Sequence, residues 1–209
     1  TANVAALTTI QIAAVETEDI AVLTTTNLQA LSASQVLALT TDQLVALTTS
    51  QALGLGSANV VALSTTQLIA LETVDLAALS TSNVLAMLTA QVAALSSDQI
   101  QALTTLQIVA MGTAQILALT TDQIVALSTR QVQNLSTRNI TALSTEQIQA
   151  IETEDLAVLT TVNLRAMLST QIGALLTDQV VALTTLQVLG LSTANVAALT
   201  TIQIAAVET

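Results

Sequence analysis

Polar and aliphatic residues alternate along this chain in a fixed period of eight. The stretch Thr120–Leu127, Thr-Thr-Asp-Gln-Ile-Val-Ala-Leu, shows the pattern, and the rest of the chain varies on it. Its fourth place is Gln, Asn or Asp in every octad from Asn3 to Gln203, with no slip. The fifth place is always aliphatic, Ala52 being the smallest, and the eighth is Leu, Ile, Val or Met. The seventh is almost always Ala and the second almost always Thr; the first, third and sixth vary. A repeat of this kind sets the architecture before any other signal is read.

One long helix cannot carry this period. Eight residues at ~100° each leave the apolar stripe ~80° out of register per octad, and no coiled-coil seam survives that drift. Short helices restarted in every octad fit the local signals. Thr120 can cap a helix whose N3 residue is Gln123, the Ser/Thr-x-x-Gln capping box, and Leu119 is placed to staple onto Ile124. On a wheel from Thr121 to Leu127 the fourth, fifth, seventh and eighth places share one side. The third and sixth places fall opposite. The fold class read from this is all-α, a solenoid of short capped helices, one per eight-residue repeat. The alternative is a β-solenoid, which Thr, Val and Ile favour and the recurrent Ala disfavours. In either case the fifth and eighth places form the core, so Ile124 and Leu127 should be buried.

A second-order repeat lies on the first. Residues 1–17 and 193–209 are identical, at an offset of 192 residues, or 24 octads. Within each recurring four-octad block two Asn lie 24 residues apart: Asn3 and Asn27, Asn59 and Asn83, Asn139 and Asn163. If like polar residues stack on like, one superhelical turn holds three octads. No composition break marks a domain boundary, so residues 1–209 read as a single continuous octapeptide-repeat array. The array is expected to be a fragment of a longer one, because Val4, Leu7, Ile204 and Val207 stay aliphatic at its edges.

Composition narrows the function. The chain has no Phe, Tyr, Trp, Cys, His or Lys, and a net charge of −11. With Arg130, Arg138 and Arg165 as its sole cations, it lacks the charge to neutralise phosphates, so nucleic acid is not an expected partner. Polar places interrupt every aliphatic run, so membrane insertion is not expected. Without His, Cys, Lys or Tyr the usual bases and nucleophiles are missing, and the chain is not expected to be an enzyme. Gln at the fourth place is read as structural, hydrogen-bonding along the array to satisfy buried polar groups.

One acidic pattern stands out. Wherever the fourth place is Asp the first is Glu: Glu16 with Asp19, Glu72 with Asp75, Glu152 with Asp155. Acids favour the positive end of a helix dipole, which explains the pairs without a ligand. Clustered carboxylate oxygens also suit calcium, and these six residues are the candidate metal ligands. No other cofactor is expected. Leu88, Leu168 and Leu176 replace a polar first place and are candidate lateral contacts between copies.

The stretch Leu119-Thr-Thr-Asp-Gln-Ile-Val-Ala-Leu127 resembles the opening helix of TAL-effector repeats, Leu-Thr-Pro-x-Gln-Val-Val-Ala-Ile. That likeness supports a helical octad; the longer period, the base-reading loop and the basic character are missing, so DNA reading does not follow. The whole chain more closely resembles the Leu-Thr-Thr-x-Gln-Val-x-Ala arrays of very large bacterial surface and secreted adhesin-like proteins. The resemblance implies an extracellular or cell-surface location and a structural role in a filament, stalk or matrix fibre. Its partners would be identical copies or further repeats, end to end. A binding module, holding calcium or a ligand on the Thr face, is the alternative.

Overall fold

A computed structural model describes the backbone of residues 2–207 and the side chains of residues 4–206. The side chains of Asn3 and Val207 lie outside the described residues. The chain divides into two compact units, Thr1–Ala110 and Met111–Thr209. Each is an α-solenoid, and the described residues contain helices and connecting corners but no strand.

Each octad makes one helix. The helix at Thr121–Val125 begins at the second place, and its neighbours, such as Thr113–Ala118, end at the sixth or seventh. These helices are shorter than the span Thr121–Leu127 read from the sequence. The eighth place has left the helix: Leu119 has φ −60° and ψ 136°, and the cap Thr120 has φ −74° and ψ 162°. Two extended residues per octad turn the corner. No described residue has positive φ, so the corners need no glycine, which is why Gly is scarce and irregular here. A helix of five or six residues cannot persist alone in water. Packing must hold it.

The packing partner is always three octads away. In the first unit Thr9–Ala13, Ala33–Ala38, Ser57–Ala62, Thr81–Ala86 and Thr105–Ala110 stack in one column. In the second, Thr113–Ala118, Thr137–Ala142, Thr161–Ala166 and Thr185–Gly190 do the same. One superhelical turn therefore holds 24 residues, as the Asn spacing predicts. Asn59 and Asn83, and Asn139 and Asn163, occupy matching places in helices that pack on each other.

The fifth places are buried from Ile12 to Val180, and the eighth from Leu31 to Leu183 apart from half-buried Leu55. The two rows of core positions look in opposite directions along the stack. In the first described turn the fifth places Ile12, Ile20 and Leu28 are buried, whereas Gln11 and Asp19 are exposed. In the last turn the order inverts: Gln187, Asn195 and Gln203 are buried, and Val188, Val196 and Ile204 are exposed. The fourth place thus faces the preceding turn and the fifth faces the following one. The seventh-place Ala is half-buried, small enough to let adjacent turns close.

Gly54 shows how little room that place has. A Cβ there would overlap the Thr25 side chain of the preceding turn. Gly54→Ala is expected to cost about 1–3 kcal/mol through overpacking. Chemical denaturation should show a lower midpoint, and the double variant Gly54→Ala/Thr25→Ala should recover part of it.

Candidate functional site

The one recurrent polar feature inside each unit is the seam made by the fourth-place side chains. It begins as a local cap. Thr40 Oγ1 accepts from the Gln43 backbone N–H at 3.2 Å, and Gln43 Oε1 accepts from the Thr40 N–H at 2.9 Å. This is the capping box expected from the sequence, and it recurs in most octads. Where Leu88, Leu168 or Leu176 stands at the first place, only the Gln half of the box remains.

The same Gln has a second role. Its amide nitrogen reaches down to the carbonyls at the corner of the preceding turn. Gln43 Nε2 donates to Ile12 O at 2.9 Å and Val15 O at 2.7 Å. Gln147 Nε2 donates to Ile116 O at 2.9 Å and Leu119 O at 2.7 Å, with Leu117 O at 3.3 Å. One planar amide therefore satisfies an orphan N–H at the start of its own helix and orphan carbonyls at the end of another. The bonds link turn to turn, as read from the sequence, but they run to main chain and not from Gln to Gln. The following turn's Gln lies one helical layer away, beyond reach, whereas the corner carbonyls lie directly below. Asn is one methylene shorter and reaches less: Asn83 donates to Leu55 O and Asn163 to Leu135 O alone.

Asp cannot fill this role when ionised, because a carboxylate has no donor. The structure separates the acidic pairs. Glu16, Glu72 and Glu152 are exposed N-caps that make no side-chain cap bond. Asp19 is exposed in the first turn, where no preceding layer covers it. Asp75 and Asp155 are buried, pointing into the seam while their Glu partners face solvent. The six candidate ligands thus do not converge by pairs. Among the described residues no group of three or more His, Cys, Asp or Glu could hold a metal ion.

Asp75 is 1% exposed, and neither of its carboxylate oxygens has a hydrogen-bond partner. Its register sets it 28 and 31 residues after Leu47 and Leu44, the offsets at which Gln donors meet carbonyls. An acceptor thus stands where the fold calls for a donor. Asp75→Gln should restore both the cap and the seam and raise stability by about 1–3 kcal/mol, read as a higher melting temperature. An unchanged or lower melting temperature would show that the slot at Asp75 differs from its neighbours.

Asp155 has found one partner, the Thr129 hydroxyl of the preceding turn. Burial raises its carboxyl above the usual range, the Thr129 bond works against that, and nearby Glu154 adds to it. A carboxyl raised in the folded state stabilises fully below its unfolded value of about 3.9, and the contribution is lost as pH rises through the folded value. The melting temperature of the wild type should therefore fall relative to Asp155→Asn as pH is raised from below about 4 to neutrality. The Thr129 contact was not legible in the sequence, since it joins residues one full turn apart.

Leu88, Leu168 and Leu176 are all exposed. They do not share a face. Leu168 and Leu176, both in the second unit, precede adjacent octads and so lie in different helix columns. Buried gaps in the first unit are lined by side chains such as Leu28, Val36, Leu39 and Leu44, with no reactive group beside Asn59. No helix is long and apolar enough to cross a membrane among the described residues.

Comparison with known proteins agrees with this geometry. Comparison with curated proteins gives no match. A sequence family described as the ALTTAQ repeat matches four segments, residues 12–49, 68–105, 100–129 and 148–185, which together cover more than half of the chain. Those segments contain the Ala-Leu corner, the Thr-Thr cap and the Gln of the seam, and the chain belongs to the ALTTAQ repeat family.

Proposed function

We propose that this chain is a structural, non-catalytic segment of an extracellular bacterial filament, stalk or matrix fibre, extended end to end by further octads or identical copies. The observation that carries this reading is the polarity of each turn. One side of a turn presents amide donors, and the other presents corner carbonyls and fifth-place aliphatics. Every turn is therefore a template for the next, and growth by addition requires no new type of contact. The aliphatic groove lined by Val188, Val196 and Ile204 in the last described turn is the surface on which a further turn would sit. Adhesin-like surface arrays provide the setting in which such a segment would serve.

Electron microscopy of the chain at rising concentration tests the reading. Long filaments of uniform width are expected, and Val196→Asp should abolish them by placing charge in the stacking layer. A monodisperse monomer at every concentration would defeat the end-to-end reading.

A further inference from the structure

Charge is unevenly distributed over the helix columns. All three Arg lie between residues 130 and 165. Two of them, Arg138 and Arg165, stand in consecutive helices of one column in the second unit, Thr137–Ala142 and Thr161–Ala166. That column, from Gly112 through Leu191, contains no acidic residue in any of its four octads. It is a basic face on a chain of net charge −11. Both Arg are exposed, and no ion pair engages either among the described residues. Exposed Val162 and Leu186 lie on the same column.

The first unit holds the complement. Helices Thr17–Val22 and Thr41–Val45 pack in one column. Their third places are Glu18 and Asp42, 24 residues apart and both exposed, and the column carries no cation. Val22 and Val45 are the exposed aliphatics beside them. The two faces match in detail. Each offers two charges of one sign, one superhelical turn apart, with two aliphatic side chains alongside. The spacing agrees because the same 24-residue turn sets both.

We propose that copies of this chain associate side by side, the Arg138/Arg165 face of one copy resting on the Glu18/Asp42 face of a second. Elsewhere acids would oppose acids across such a contact. The pairing is heterologous, so each copy keeps one face free and sheets or bundles can grow. Exposed ion pairs are individually weak, so a single chain should associate weakly and a long array strongly, by repetition. The contact is lateral and does not rest on the end-to-end reading above.

Sedimentation velocity of the intact chain tests it. Association is expected at low ionic strength and should weaken about tenfold or more toward 0.5 M salt, where charges are screened beyond ~4 Å. Arg138→Glu/Arg165→Glu and Glu18→Arg/Asp42→Arg should each remain helical and lose association. Mixed one to one they should regain it, because the reversed faces complement each other. Failure of the mixture to associate would overturn the proposal. So would a monomeric wild type at low salt, or association that survives both reversals and disappears in Val196→Asp, which would place the contact at the ends.

Discussion

Gln147→Glu should destabilise the second unit by several kcal/mol at neutral pH, although it changes one amide to a carboxylate of nearly the same shape. Gln147 is buried. Its Oε1 accepts from the Ser144 N–H at 2.8 Å, and that bond survives the change. Its Nε2 donates to Ile116 O, Leu117 O and Leu119 O, and those bonds become oxygen facing oxygen. A buried carboxylate without a donor carries its full desolvation cost, and the abandoned carbonyls add ~1–3 kcal/mol. The sign of the pH dependence follows. The introduced carboxyl has a folded value raised above its unfolded ~4.3, so the protonated form, which can donate, is favoured at low pH. The deficit should be smallest below about pH 4 and grow as pH rises through the folded value. Denaturant titrations at pH 3.5 and 7.5 measure both ends. Equal deficits at the two values would show that the donor to the preceding turn is not what the seam requires. Gln147→Leu serves as the reference: it should be destabilised at both pH values alike, since it can never donate.

Ile124→Asp should have an effect of comparable size with a different cause. Ile124 is buried at the fifth place, among side chains with no polar group to meet a charge. The substitution loses aliphatic burial of about 1.5–3 kcal/mol and adds an unpaired charge, for a total of several kcal/mol. Because neighbouring turns depend on each other, the loss should spread: helical circular dichroism should fall by more than one octad's share. Ile124→Val is the control, expected to cost about 0.5–1.5 kcal/mol. A fully helical Ile124→Asp with a native melting temperature would contradict the layer assignment.

Both predictions turn on residues whose burial was legible before any coordinates. The register of fifth and eighth places needed only the period. The capping box at Thr40 and Gln43 needed only the spacing of three, because its partners are neighbours on the chain. The 24-residue turn was readable through the Asn pairs, since a solenoid places like residues over like. The acidic pairs were only half legible. Their spacing put both acids at a helix start, and it could not reveal that Glu72 faces water while Asp75 faces the seam.

By itself, then, the sequence determined the helical octad, its cap, the core rows and the three-octad turn. These follow from local hydrogen bonding and from periodicity, which act over a few residues or repeat without change. Tertiary structure alone decided what the seam amide bonds to. The acceptors of Gln147 lie 28 to 31 residues away, across a corner whose extended backbone at the eighth and first places orients the carbonyls. It also decided which exposed charges share a face. Arg138 and Arg165 become neighbours only when a full turn closes, because adjacency across a stack depends on the geometry of that turn and not on separation along the chain.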